Sequence, residues 1–472
     1  MLLDIVETIY AIIVVLFLFN LTIFVHELGH YLVGRWRGAT IERFSIWFGP
    51  ALLSRTINGV EFRLGCIPLG GYVAFPQLAM EMIEGKSETP AEELKPLRPR
   101  DKIPILVAGS VANVLLGFAI ACIIWVVGIP KDPGDLDLKI GYVPAGSSEW
   151  QAGIRLGDSI RSINGKEVKD WDEITQRVAL SLSKTVEVGI EQNGVLRTFT
   201  VIPNRDHLFR IRKLQIDQAN SPVAREVQTR SPAEKAGLLA GDEFLEVDGQ
   251  KVLSMLHLTD MVGKRANQPT RMVVFRKGER VTLEITPRIE KKSKVARIGV
   301  PLGVKSTGKS VIVYPDPLTQ ATKVLLLLAD TLNALLHTKT TGVGLDDLAG
   351  PVGIGWALYK TTLLDLRLAL SFLVLLNINL AVVNLFPIPA LDGGHIVFSL
   401  IEIIRRKPFN PRFMEITQTV AIVLILCLMA YVTLNDVDRL ARFRFFSSQY
   451  PGAGSPAGVF EEARPAAPPP AR

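Results

Sequence analysis

The chain has 472 residues, 48% of them hydrophobic, with a mean hydropathy of +0.28. That hydropathy excludes an ordinary soluble globule, so membrane spans are expected, and the length allows several domains. The formal charge of +7 and pI of about 9.2 fit basic segments beside an anionic membrane surface. No nucleic-acid motif accompanies the charge, which excludes a nucleic-acid partner. Cys66, Cys122 and Cys427 are scattered and fit no zinc or disulfide framework.

The first apolar run, Ile9 to Val25, contains no charged residue and leads into Val25-His26-Glu27-Leu28-Gly29-His30. It is too long, and too poor in a small-residue cleavage site, for a removable signal peptide. On a helix, His26 and His30 project from one face, so one divalent metal can take both imidazoles, and zinc is the commonest occupant. Glu27 beside them is placed to take a proton from a water that the metal acidifies. Two histidines and a carboxylate at the end of such a run are expensive in a bilayer unless they serve a function. Acidic Asp4 and Glu7 precede the run, while Arg35, Arg37 and Arg43 follow it. The positive-inside rule then puts the N-terminus outside and His30 toward the cytoplasm.

Residues 35–102 are expected on the cytoplasmic side. Val60 to Leu64 alternates like a strand, and Leu69-Gly70-Gly71-Tyr72 reads as a turn before Val73-Ala74-Phe75. This predicts a β-hairpin dipping toward the membrane. Glu81 to Arg100 is polar and Pro-containing, a mobile-loop pattern. The second span, 103–129, carries Gly109, Ser110, Ala112, Gly117 and Ala119, which allow close helix packing. Its one strongly polar residue, Asn113, reads either as a site residue or as interhelical glue, and glue is the favoured reading.

An internal repeat follows. Ala152-Gly153-Ile154 through Val168 recurs as Ala236-Gly237-Leu238 through Val252, 84 residues later. Each copy has a short helix ending at Gly, a Gly-Asp turn, a strand, and a hairpin at Asn164-Gly165 or Asp248-Gly249. Two copies suit tandem β-rich modules, at 130–218 and 219–304, better than a solenoid. These copies resemble PDZ domains of the bacterial form, and that resemblance implies that Arg297 to Val300 edges the second peptide groove.

Residues 305–365 read as an amphipathic helix, around Val324 to Leu336, and a linker on the outer face. A third span within 366–395 ends at Pro387-Ile388-Pro389-Ala390-Leu391-Asp392-Gly393-Gly394. A cytoplasmic loop (396–416), a fourth span (417–435) and an outer tail (436–472), disordered from Ser447, complete the chain.

The fold class expected is therefore a multi-pass α-helical membrane protein with four transmembrane helices. Two β-rich PDZ-like domains in tandem and a membrane-associated β-hairpin are inserted into it. The first and third spans both run from outside to inside, so Asp392 lies at the depth of His26 and His30. Three protein ligands with a fourth position left for water is the pattern of a catalytic zinc site. This also argues that the helix near Val324 does not span, because a further crossing would put Asp392 on the opposite side.

The His26-Glu27-Leu28-Gly29-His30 element, the Asn384-to-Gly393 element and the paired PDZ-like modules resemble the site-2 protease family. The resemblance implies an intramembrane zinc metalloprotease cutting single-span membrane proteins, such as an anti-sigma factor and remnant signal peptides. It implies that Asn379 and Asn384 bind unwound substrate backbone, and that Gly70, Gly71 and Tyr72 engage substrate as an added strand. The rival readings are a non-catalytic, zinc-containing PDZ membrane scaffold, which has no use for Glu27, and a protease acting on soluble polypeptides outside.

Overall fold

The computed structural model describes residues 2–78, 97–205, 212–289, 295–305 and 310–449. Most of the expected Glu81–Arg100 loop, and the tail from 450 on, lie outside the described residues. Seven helices carry the labels used below: α1 (Leu2–Trp36), α2 (Pro99–Val127), α3 (Pro317–Leu336), α4 (Pro351–Leu364), α5 (Leu366–Asn384), α6 (Asp392–Arg405) and α7 (Pro411–Gln449). Among the described residues, four helical stretches are long and apolar enough to cross a membrane: Ile5–Trp36, Pro99–Val127, Leu366–Asn384 and Arg412–Leu440. They lie in α1, α2, α5 and α7.

The chain divides into two compact units. One comprises Met1–Ile129, Val313–Leu328 and Ala349–Leu434; the other comprises Pro130–Ile312, Ala329–Leu348 and Asn435–Arg472.

In the helical unit small residues set the packing. A Cβ on Gly29 of α1 would meet the Ala108 carbonyl oxygen of α2 at 2.5 Å and the Ala112 Cβ at 2.8 Å. Gly117 of α2 lies over Asn377 and Ile378 of α5. Such close backbone approach supplies the dispersion contacts that hold helices together where lipid removes the hydrophobic drive. Leu18, Ile120, Ala121, Ile124, Leu373, Val374 and Ile378 form the shared core, joined by Val324 of α3 and Leu358 of α4. His26 of α1 reaches α2 at Asn113 and α5 at Asn384, while Gly117 of α2 meets α5 near Val374. Both α1 and α5 thus run antiparallel to α2 and parallel to each other.

The sequence reading did not foresee α4. It begins at Gly350-Pro351, with Pro at the first helical position, and its 14 residues are too few to span. The segment expected as a cytoplasmic loop, 396–416, is α6 up to Arg405, with α6 starting at Asp392 itself, and α7 from Pro411 on. The last two residues of the expected 81–100 loop, Pro99 and Arg100, open α2.

The β element also differs from expectation. Strands β1 (Arg43–Ile57) and β2 (Val60–Ala74) turn at Asn58-Gly59, not at Gly70-Gly71. Both turn residues have positive φ (50° and 80°), as a two-residue hairpin demands, and Asn-Gly adopts that pair cheaply. Residues 43–46 pair with 71–74 on one side and with 61–64 on the other. The expected pairing of 60–64 with 73–75 is therefore interrupted by the start of β1. Residues 71–74 become a sheet edge.

The second unit holds two β-rich modules with separate cores. Ile154, Ile160, Ile163, Ile174, Val178, Val188, Ile190 and Val201 belong to the first. Leu238, Phe244, Val247, Leu258, Val262, Met272, Val274 and Ile285 belong to the second, each 84 residues on. In the second module the late strand Leu302–Val304 pairs with the early strand Pro222–Ala224, and Arg297 to Val300 leads into that strand. The modules touch where Tyr142 stacks on His257 (ring centroids 4.6 Å apart) and donates its hydroxyl to Asp260 at 2.5 Å. Asp217, at the end of the first module, accepts from the Leu256 amide at 3.0 Å, and Asn220, at the start of the second, from the Met255 amide at 2.9 Å, so the helix Met255–Gly263 is held by the segment that joins the modules.

Candidate metal centre

Two helices of the helical unit bring His26, His30 and Asp392 together. The two histidines are one turn apart on α1, and Asp392 opens α6, where an acidic residue in the first turn complements the helix dipole. Its position is fixed by two glycines. A Cβ on Gly393 would sit 2.3 Å from the Leu385 backbone, and one on Gly394 2.3 Å from the Ile388 carbonyl oxygen. The first turn of α6 therefore packs against the turn that leaves α5 only without side chains at those positions.

His26 Nε2 and His30 Nε2 are 3.2 Å apart, and each lies 3.4 Å from Asp392 Oδ2. Both imidazoles are buried. His30 Nδ1 is 2.7 Å from the Ile105 carbonyl oxygen, to which it must donate, so its Nε2 carries a lone pair. Asp392 Oδ2 is buried and has no hydrogen-bond partner. The His30 Nε2 lone pair and the Asp392 carboxylate oxygen facing one another at 3.4 Å in a buried site need a proton or a metal cation between them. Zinc bonds to nitrogen and oxygen of about 2.0–2.2 Å put tetrahedral ligand atoms about 3.3–3.6 Å apart, which the three atoms match closely. The residues present could hold zinc.

Gly109 of α2 makes room for the ring pair, since a Cβ there would meet His30 Nε2 at 2.3 Å and His26 Cε1 at 2.7 Å. Glu27 stands beside the two histidines, and its carboxylate accepts a hydrogen bond from the Val73 amide of β2. A Cβ on Gly71 would lie 3.4 Å from Glu27 Cγ. The sheet edge at 71–74 thus runs alongside Glu27, with Tyr72 stacked on Phe48 and Gly70 in a positive-φ conformation at 81°.

Asn384 Nδ2 is 3.3 Å from His26 Nε2. Asn379 has a buried side-chain oxygen without a hydrogen-bond partner. Sequence reasoning misses two contributors, the Ile105 carbonyl and Gly109 as ring clearance; Asn113, open there to a site role but favoured as interhelical glue, has its amide 3.3 Å from His26 Nδ1. It does join two helices, but its partner is an imidazole of the cluster, and a lone Asn inside a span of small residues was the available signal.

A glutamate beside a cation-binding trio at the end of membrane-length helices is the equipment of an intramembrane metallopeptidase. Peptidase family M50 matches residues 12–428. The regulator of sigma E protease of Salmonella typhi is 30% identical over 450 residues, covering 88% of this chain and 96% of that protein. The regulator of sigma-E protease RseP of Escherichia coli K12 is 31% identical with the same coverage. A protein of Pasteurella multocida named as a zinc metalloprotease is 30% identical over 440 residues, covering 88% and 96%. Among solved structures, the PDZ domain of the SdrC-like protein from Listeria monocytogenes matches 18% of this chain and 87% of that one, at 20% identity and a TM-score of 0.17. The chain belongs to peptidase family M50 and is a metalloprotease of the site-2 type.

Proposed function

We propose that this chain is an intramembrane zinc endopeptidase of a Gram-negative-type inner membrane, cutting single-span membrane proteins in a sigma-E-type envelope stress response. An anti-sigma factor is the substrate that fits best, with remnant signal peptides as further candidates. The observation carrying this reading is the convergence of His26 Nε2, His30 Nε2 and the orphaned Asp392 Oδ2 beside Glu27.

In this reading His26, His30 and Asp392 hold zinc. Zinc there supplies a Lewis acid that lowers the pKa of water and polarises the scissile carbonyl. The Glu27 carboxylate takes the proton from the attacking water and returns it to the leaving amide nitrogen. A substrate helix hides its amides, so the segment to be cut must unwind. Its released N–H and C=O groups then need partners, because none are available from lipid. The sheet edge at Gly71 to Ala74 offers backbone groups for strand addition next to Glu27, with Gly70 and Tyr72 shaping that edge. Asn379 and Asn384 offer further amides from α5, and the unpartnered Asn379 oxygen is an acceptor for a substrate N–H.

The positive-inside pattern puts the tandem modules, read as PDZ-like, in the periplasm and the zinc site toward the cytoplasmic side. The modules then act as a filter that admits substrates already trimmed of their outer domains. The test of the whole reading is cleavage of a detergent-solubilised single-span substrate by the purified chain. Cleavage must occur, must stop with a zinc chelator, and must return with added zinc; chelator-resistant cleavage refutes it.

A further inference from the structure

Asn113 lies four residues after Gly109 on α2 and is fully buried. Its side-chain amide faces His26 Nδ1 at 3.3 Å, and its other polar atom, Oδ1, has no hydrogen-bond partner. The nitrogen and oxygen of an amide are interchangeable by a half-turn, and the hydrogen-bond network decides which faces where.

Each orientation has a consequence for His26. With Asn113 Nδ2 against the ring, Nδ1 must accept, so the imidazole proton sits on Nε2. That proton would then point at His30 Nε2 and Asp392 Oδ2, into the space a cation must fill. With Asn113 Oδ1 against the ring, Nδ1 donates and Nε2 presents its lone pair to that space. In the orientation with Nδ2 against the ring, Oδ1 has no partner, so no hydrogen bond to the amide oxygen holds it there. The second orientation also gives His26 the arrangement His30 already has, where Nδ1 donates to the Ile105 carbonyl oxygen.

We propose that Asn113 is the positioning residue of His26. Its Oδ1 accepts the Nδ1 proton, fixes the tautomer and aims Nε2 at the metal position. This rests on reading the cluster as a zinc site and assigns α2 a part in it. Two groups of α2 then orient the two imidazoles of α1, a side chain for His26 and a backbone carbonyl for His30. Outer hydrogen bonds of this kind set ligand basicity and ring orientation, and losing one typically weakens metal binding about 10–100-fold.

The test is zinc affinity of the full-length chain in detergent, measured by competition with a chromophoric chelator and by visible absorption after cobalt substitution. Neither readout requires turnover. Asn113→Leu and Asn113→Ala remove the acceptor and should weaken zinc about 10–100-fold, with altered cobalt bands. Asn113→Asp keeps an acceptor oxygen and should hold zinc within threefold of the parent with its cobalt bands preserved. Parental zinc affinity in a folded Asn113→Leu chain overturns the proposal. So does a tenfold loss in Asn113→Asp, which would mean that the amide donates; that arm decides by itself if the Leu chain fails to fold. His26→Ala separates the two readings, because undiminished zinc binding there refutes the metal site itself and not the part of Asn113.

Discussion

His26 Nε2 on the first membrane-length helix and Asp392 Oδ2 at the start of α6 lie 3.4 Å apart. The contact needs α1 and α5 to run in the same direction, so that the residue following α5 arrives at the level of the last turns of α1. Everything proposed about chemistry depends on that shared level.

The division of labour at the cluster is open to direct test. Glu27→Gln keeps all three ligand atoms and should retain zinc while hydrolysis falls by at least about 100-fold, the scale of a positioned acid–base group. His26→Ala, His30→Ala and Asp392→Ala should lose zinc and activity together. Metal analysis paired with a cleavage assay separates the two classes, and near-normal turnover by Glu27→Gln would remove it from the mechanism.

Two glycines should be as sensitive as the ligands. In Gly109→Ala the new methyl meets His30 Nε2 at 2.3 Å, so the ring must move and zinc content should fall without loss of the helical fold. In Gly393→Ala the methyl meets Leu385 backbone at 2.3 Å, which no rotamer can relieve, and stability should drop by about 1–3 kcal/mol or more. Zinc content and thermal unfolding of the purified variants check both, and a silent Gly109→Ala would mean that the ring position is not critical.

Sidedness follows from the basic residues after α1 and after α6. In a cysteine-free background, Glu279→Cys should react with an impermeant thiol reagent in intact spheroplasts, and Lys407→Cys should react only after lysis. The reverse pattern would invert the topology proposed here.

If the tandem modules act as a filter, replacing residues 135–300 by a short linker should release cleavage of untrimmed substrate while trimmed substrate is still cut. A well-folded deletion chain that still refuses untrimmed substrate would leave the modules some other task.

The contact between the modules should loosen in acid. Burial alone would raise the Asp260 carboxyl, but the Lys264 ammonium and the Tyr142 hydroxyl bonded to it outweigh that and hold it below the usual carboxylate range. A carboxylate with a depressed folded pKa contributes stability above its unfolded value of about 3.9 and loses it as pH falls through the folded value. Spin labels at Thr175 and Thr259 should therefore report a single inter-module distance at pH 5 and a broadened one near pH 3. Tyr142→Phe should broaden it already at pH 5; identical distributions throughout would show that this bond does not hold the modules.

The sequence by itself determined the elements whose signal is local. Long, predominantly apolar runs require α1, α2, α5 and α7, because a backbone in lipid must satisfy its own hydrogen bonds. The four-residue spacing of His26 and His30 puts both rings on one helix face. The 84-residue echo marks two modules, since each needs the same small core and the same positive-φ turns at Asn164-Gly165 and Asp248-Gly249. The hairpin turn is legible too, because Asn58-Gly59 is a stronger two-residue turn signal than Gly70-Gly71.

Tertiary structure alone decided the rest. That α4 is a helix depends on its packing beside α1 and α5, which a 14-residue segment of mixed polarity does not announce. That 61–64 and 71–74 flank 43–46 depends on pairings distant along the chain. That Asn113, Gly109 and the Ile105 carbonyl serve the histidines depends on how closely α1 and α2 approach. That distance is set by Gly29 against Ala108 and Ala112, and no periodicity within either helix encodes it.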